Sequence, residues 1–336
     1  MPIRVYWLPI AEATNRGYGR VTKQLAWALD KAGVTVLGPY DFGWDWLCVP
    51  STPFAGPLNR DGSVRQDVLW HTMFDADFLP PSWAHMLNKS GAVWVPSEWC
   101  KEVFRNSGVN RPIFVAGYGV DPGDFPFADR SALADRPVTF LHTALAWGDR
   151  KNALMVVKAW HRLGFKSDQA RLILKFNQGA IGKVNLKGMD NVHCLKNDLS
   201  DREWPLLFQQ ADCMVYPSSG EGFGLMPLEF AGTGGLALVT DYSGMTEYCH
   251  DVPMLQVNVK RIVPATLYNN IYDSEGRWAE PDLDDLCDKM RWIVENRETA
   301  WAMGRAAAVR VRDVWTWEGA GMKARVELEA LTRGMD

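Results

Sequence analysis

Short apolar segments alternate with amphipathic ones along this chain, and the alternation runs twice. "IRVYWLP" reads as a buried strand, followed by the loop "IAEATNRGYG" and by "RVTKQLAWALDKAG", where Val21, Leu25, Ala28 and Leu29 recur at helical spacing and Gly33 stops the helix. Further strands read at "VTVLG", "WLCVP", "DVLWH", "AVWVP" and "IFVAG", separated by polar or helical pieces such as "PPSWAHMLNKSG" and "SEWCKEVFRNSG". Strands alternating with helices build a mainly parallel sheet covered on both faces.

The character changes at "GVDPGDFPFADRSALADRP", Gly119 to Pro137, rich in Pro, Gly and Asp and poor in periodicity, as a domain boundary is. Then the pattern restarts with the strand "VTFLHTAL", the helix "NALMVVKAWHRLG", the strands "RLILKF" and "NVHCL", the helix "DREWPLLFQQA", the strand "CMVYPS", a helix near "LMPLEFAGTG" and the strand "LALVT". Two wound halves imply an α/β protein of two Rossmann-like domains facing a cleft, with ligands at the C-terminal ends of the strands. The tail is helical: Leu283, Leu286, Met290 and Ile293 keep a 3-4-3 spacing, and two more helices follow. The expected division is 1–133, 134–315, and a last helix, 316–336, crossing back to the first domain.

At 336 residues and 47% hydrophobic content the chain can bury a large core. A net charge of -4 creates no global field for nucleic acid or an anionic membrane, and residues 1–133 hold 12 Lys and Arg against 13 Asp and Glu. A nucleic-acid acceptor is therefore disfavoured by charge without being excluded. No apolar run reaches the roughly 18 residues of a membrane helix, so a cytoplasmic protein without a spanning segment is expected. The six cysteines are scattered, with no C-x-x-C pair and no histidine at metal-ligand spacing; they read as reduced core residues.

The chemistry concentrates in "SSGEGFGLMPLEFAGTGG", Ser218 to Gly235, where two carboxylates, Glu221 and Glu229, sit in a glycine-rich bend between a strand and a helix. Glycines let the backbone approach a ligand and a helix N-terminus attracts anions, so a phosphate suits the bend. Glu229 is placed to accept hydrogen bonds from the adjacent hydroxyls of a ribose, and Glu221 to orient a second sugar. The reading is a nucleotide sugar.

The longer string "PSSGEGFGLMPLEFAGTGGLALVTDYSGMTEY" closely resembles the signature of glycosyltransferase family 4, the retaining enzymes of the GT-B fold. Glu221, Gly222, Phe223, Gly224, Glu229, Ala231, Gly232, Gly244 and Glu247 fall on the family pattern. "TMFDADFLP", "VPSEWCKEVF" and "GYGVDPGDFPF" look like the N-domain and linker segments, and "GDRKNALMVVKAW" like the basic diphosphate-binding element. The resemblance implies that Glu229 binds the ribose and that Glu221 with the amides of Phe223, Gly224 and Leu225 holds the donor sugar and diphosphate. The same resemblance gives Arg150 and Lys151 the role of neutralising the leaving phosphates. It also implies a nucleoside-diphosphate sugar as co-substrate, no metal, and an acceptor the residues do not identify. Family members often carry an Arg several residues before the Lys, where this chain has Leu145 or Ala146, so either Arg150 or Lys175 supplies the second charge.

Weaker candidates are His71, ending "DVLWH", near the acceptor or simply structural, and Gly17 and Gly19 of "NRGYGR", a phosphate-side loop or a plain helix start. Asp121 reads as a structural turn. Trp44, Trp46, Trp70, Trp83, Trp94 and Trp99 enrich the first domain in indole, and about four of the six should be core. Competing readings are a nucleotide-sugar epimerase or sugar-binding protein on the same fold, and an NAD(P)-dependent oxidoreductase. The last lacks its fingerprint, because the glycines of "LPIAEATNRGYGRVTKQ" come late and the third is missing.

Overall fold

Eight of the twelve strands of the two large sheets are buried along most of their length, which in a parallel sheet requires helices on both faces. The computed structural model describes residues 2–8, 18–38, 41–53, 63–144, 150–176 and 186–334. They form two compact units, one of residues 1–119, 264–277 and 315–336, the other of 120–263 and 278–314.

The first unit starts with β1 (Arg4–Trp7), α1 (Tyr18–Lys31), β2 (Thr35–Leu37), β3 (Trp46–Pro50) and β4 (Arg65–His71). It continues with α2 (Pro81–Leu87), β5 (Ser90–Val95), α3 (Glu98–Asn106) and β6 (Ile113–Val115). Its six strands are parallel in the order β2-β1-β3-β4-β5-β6. Trp46, Trp70, Trp83 and Trp94 are buried, whereas Trp44 and Trp99 are partly exposed, so most of the indole surface is core. Helix α3 begins where it does because Ser97 Oγ accepts the Cys100 amide at 3.2 Å, with Glu98 in the first turn and Arg105 in the last.

The second unit carries β7 (Val138–Ala144), α4 (Ala153–Leu163), β8 (Ala170–Phe176), β9 (Val192–Leu195), α5 (Glu203–Gln209) and β10 (Cys213–Tyr216). Then come α6 (Leu225–Gly232), β11 (Leu236–Thr240), α7 (Thr246–Cys249) and β12 (Leu255–Val257). All pairs are parallel, in the order β12-β11-β10-β7-β8-β9. Its core packs Phe140, Trp160, Leu172, Leu174, Phe176 and Leu238 against Leu286 and Met290 of a later helix. A ribbon of β13 (Val259–Pro264) and β14 (Arg277–Pro281) flanks α8 (Thr266–Tyr272). Helices α9 (Leu283–Glu295) and α10 (Arg297–Val314) follow, and α11 (Trp317–Arg333) closes the chain.

Helix α11 belongs to the first unit and lies along α1. The approach is close because Gly321 has no side chain: a Cβ there would stand 2.2 Å from the Ala28 carbonyl oxygen. Thr316 caps α11 by accepting the Gly319 amide, and Trp46 Nε1 donates to Thr332 Oγ1 at 3.0 Å. The α/β class, the two parallel sheets and the returning last helix are those read from the sequence. Among the described residues no helix is long and apolar enough to cross a membrane.

Candidate functional site

In the second unit the chain runs from β7 outward to β8 and β9, and later from β10 outward to β11 and β12, while β7 and β10 are neighbours. Their C-terminal ends therefore form the switch point of the sheet, where the connecting loops diverge and leave a crevice for a ligand. Two segments reach it. Arg150 and Lys151 precede α4 on the β7 side, and Pro217 to Gly224 lead from β10 into α6.

Glu221 is the hub. Its Oε1 accepts from Tyr216 Oη at 2.8 Å and from Ser218 Oγ at 3.0 Å, and it pairs with Arg150 Nη1. The same guanidinium donates to the Gly220 carbonyl at 2.7 Å and to Ser218 Oγ at 3.3 Å, and the Ser219 amide donates to the Arg150 carbonyl at 2.7 Å. Burial alone would raise the Glu221 pKa, but the charges of Arg150 and Lys151 and the hydrogen bonds from Arg150 and Tyr216 outweigh it and hold the carboxyl below the usual range. Burial and the neighbouring Glu221 charge push the Tyr216 phenol well up, so it stays a proton donor to that carboxylate. Lys151 Nζ stands 5.1 Å from the centre of the Tyr216 ring.

Asn152 takes left-handed backbone, φ +60°, and its side-chain amide donates to the Pro217 carbonyl and to Ser219 Oγ, both at 2.8 Å. The turn after β11 supports the loop from the other side. The Glu221 amide donates to Ser243 Oγ at 2.9 Å, the Gly244 amide to the Glu221 carbonyl at 2.9 Å, and Tyr248 Oη to the Gly224 carbonyl at 2.6 Å. A Cβ on Gly244 would lie 2.1 Å from the Gly222 oxygen, and Gly224, at φ +79°, would drive one into Met245 at 2.7 Å. Only glycine fits either place.

Gly224 precedes α6 without a side-chain cap, and Leu225 opens the helix. Phe223 is buried, with its ring 5.4 Å from that of Tyr248, and Gly222 is buried beside it. Glu229 sits one turn into α6, 6% exposed. Lys175, the other candidate for a second charge, is buried on β8; it donates to the Phe176 carbonyl at 2.9 Å and lies 5.5 Å from the centre of the Trp204 ring. In the first unit His71 is fully buried at the end of β4, with Nε2 3.3 Å from Tyr118 Oη and its ring 4.9 Å from that of Trp94. Burial lowers its pKa to about 3, so the ring is neutral. Gly19 is half-buried in the first turn of α1, and Gly17 lies outside the described residues.

Sequence reasoning missed Tyr216, Ser218, Asn152, Ser243 and Tyr248. Ser218 and Tyr216 flank the motif and were within reach of it; Asn152 and Ser243 depend on left-handed backbone that no periodicity signals. It also missed a gathering outside the loop. His250 follows Cys249 directly in the chain, a pair that matches no familiar ligand spacing, and the fold brings the ligand-type atoms of Asp241, Cys249 and His250 within 4.8 Å of one another.

Two wound α/β units, each built on a parallel six-stranded sheet, are the architecture of the GT-B fold. The structure matches that of sucrose-phosphate synthase from Thermosynechococcus elongatus with a TM-score of 0.66 at 16% identity, over 99% of this chain and 98% of that one. It also matches the pneumococcal O-GlcNAc transferase GtfA, solved in complex with UDP and GlcNAc, with a TM-score of 0.56 at 12% identity over 79% and 53% of the two chains. The family model described as Family 4 Glycosyltransferase in conflict systems matches residues 183–323. A protein of Sulfolobus islandicus filamentous virus (isolate Iceland/Hveragerdi), named "Putative glycosyltransferase 45", is 27% identical over 210 residues, 60% of this chain. That match spans 56% of the viral protein's length. The likeness to the family 4 glycosyltransferases is carried by residues 183–323, which include the Glu221 loop and α6.

Proposed function

We propose that this protein transfers a sugar from a nucleoside-diphosphate sugar to a hydroxyl acceptor with retention of configuration at the anomeric carbon. The observation that carries the reading is the switch-point loop, where a glycine-rich backbone, the start of α6 and two basic residues converge around a buried, ionised Glu221. The diphosphate lies against the amides of Phe223, Gly224 and Leu225 and takes its charge compensation from the helix end and from Lys151. Glu229 accepts the ribose hydroxyls, and Glu221 orients the transferred sugar.

Between Arg150 and Lys175 as partner of Lys151, geometry favours Arg150, since Lys175 is engaged with Phe176 and Trp204. Arg150 acts first as a positioning residue, fixing Glu221 and the Gly220 carbonyl. A carboxylate oxygen that accepts from Tyr216, Ser218 and Arg150 at once is a poor nucleophile, which supports front-face transfer without a glycosyl-enzyme intermediate. The acceptor oxygen bonds to the anomeric carbon as the bond to the leaving phosphate breaks, and the acceptor proton passes to that phosphate. The products are a glycoside and a nucleoside diphosphate. The acceptor is defined only as a hydroxyl; the near-neutral balance of residues 1–133 speaks for a saccharide, glycan or protein side chain over a polyanion.

The test is a melting series with UDP, GDP and ADP, since a ligand bound only by the folded state raises the transition. One of the three should stabilise the wild type. Lys151→Ala should lower kcat/KM by about 100-fold or more. Glu229→Ala should weaken donor binding about 10- to 100-fold, the worth of charge-assisted hydrogen bonds to a diol. No shift with any nucleotide, or full activity in both variants, overturns the assignment.

A further inference from the structure

The turn between β11 and α7 meets the donor loop with its inner face, and its two ends come together on the outside. Asp241 follows directly on β11, Cys249 is the last residue of α7, and His250 caps that helix. Asp241 Oδ1 and His250 Nε2 are 2.8 Å apart, both side chains are exposed, and the Cys249 thiol is buried beneath them. All three potential ligand atoms lie within 4.8 Å of one another, and among the described residues no other three such groups gather in this way.

We propose that Asp241, Cys249 and His250 form a binding site for a zinc-class divalent ion, with water as the fourth ligand, that staples residues 241–250 closed. Zinc takes thiolate, imidazole and carboxylate ligands at about 2.0–2.3 Å in a tetrahedron, which sets the ligand atoms about 3.3–3.5 Å apart. The Asp241–His250 separation of 2.8 Å is shorter than those values and all three atoms lie within 4.8 Å, so displacements on the order of 1 Å at the two exposed side chains complete the geometry. A sulfur, a nitrogen and an oxygen donor together select zinc over the hard ions magnesium and calcium, which take oxygen alone.

The backbone is already built to hold the ends together. The Asp241 amide donates to the Val257 carbonyl at 2.9 Å, Thr246 Oγ1 to the Ser243 carbonyl at 2.7 Å, and Gln256 Nε2 to the Cys249 carbonyl at 2.5 Å. The neighbouring carboxylate, Asp251, is taken up by Arg310, whose Nε lies 3.0 Å from both of its oxygens, which leaves the fourth position to solvent. Binding displaces the thiol proton to solvent as the sulfur–metal bond forms. The ion lies outside the proposed transfer chemistry. Its effect is on the segment that carries Ser243, Gly244 and Tyr248 to Glu221 and Gly224.

Cobalt(II) is the direct probe, because its tetrahedral complexes are intensely coloured and a thiolate ligand adds a near-ultraviolet charge-transfer band. Titration of the reduced, metal-free full chain should give both signatures at one equivalent, with zinc displacing the cobalt and raising the melting temperature. Cys249→Ser should abolish the thiolate band. His250→Ala, an exposed change that leaves the core intact, should weaken binding at least about 100-fold, the upper end of what outer-shell losses cost. Cys194→Ser, at the one cysteine that is not fully buried, should leave the spectrum unchanged. A cobalt spectrum without the thiolate band, equal affinity in His250→Ala and wild type, or loss of the band in Cys194→Ser would overturn the site and leave Asp241 and His250 as an exposed ion pair. None of these results depends on the donor assignment.

Discussion

Arg150 and Glu221 show how much one buried charge depends on its neighbour. With side chains 16% and 9% exposed, the pair exists because each compensates the other. Arg150→Ala leaves Glu221 buried with the hydroxyls of Tyr216 and Ser218 and the charge of Lys151, and breaking such a pair typically costs about 3–5 kcal/mol. Chemical denaturation of the variant should show a loss of that order together with a large drop in turnover; an unchanged midpoint would mean the pair is not formed. The linkage has a definite sign. Because the folded-state pKa of Glu221 lies below the ordinary glutamate value, its contribution is present above that value and is lost as pH falls through the lowered one. His71 acts over a higher window. Its pKa falls from 6.5 to about 3 on folding, so only the unfolded chain takes up the proton between those values, and stability declines as pH drops below 6.5. From pH 7 to pH 5 that one group removes about 2 kcal/mol. His71→Gln, which keeps a polar partner for Tyr118 but does not titrate, should shrink the pH 7 to pH 5 difference by that amount; an unaltered difference would place the pH sensitivity elsewhere.

Elements were legible wherever their burial was uniform. Strands such as Val138–Ala144 and Ala170–Phe176 are buried on both faces and read as apolar runs, and α9 showed its Leu286, Met290 and Ile293 face directly. The ribbon β13–β14 and α8 were not read, because exposed residues such as Lys260, Arg261 and Ile262 follow neither period. The candidate site divides in the same way. Its glycines and acids lie in one string and were read together, whereas Asn152 and Ser243 enter through left-handed backbone, and Lys175, a candidate for the second charge, is buried beside Trp204. Close helix packing was also invisible in the sequence, since Gly321 in "EGAGMKAR" looks like a weak helix position rather than a contact. Its lack of a side chain lets α11 approach the Ala28 carbonyl. Gly321→Val must push the helices apart, and overpacking of this kind costs about 1–3 kcal/mol. The measurement is the melting temperature of the variant, and a value equal to the wild type would mean that α11 tolerates the displacement.

Taken whole, the chain assigns its last helix to the unit that begins it, while every residue proposed to hold the nucleotide sugar belongs to the other. The two should therefore separate under truncation. Deleting residues 315–336 removes Trp317, Ala320, Ala324 and Leu328 from the first unit, all of them buried, and exposes the face of α1 that they cover. Full burial of one large apolar side chain contributes about 1.5–3 kcal/mol, and domains are stable by only about 5–15 kcal/mol, so this loss takes most of the first unit's margin. The core of the second unit, from Phe140 and Trp160 to Leu286 and Met290, involves none of the deleted residues. In limited proteolysis the truncated chain should be cut within residues 1–119 while residues 120–263 stay protected. Whichever nucleotide stabilises the intact protein should still raise the melting temperature of the protected part. Protection of residues 1–119 equal to that of the full chain would show that α11 is dispensable to the first unit, and loss of the nucleotide response with the second unit still folded would show that the donor site needs more than the residues assigned to it.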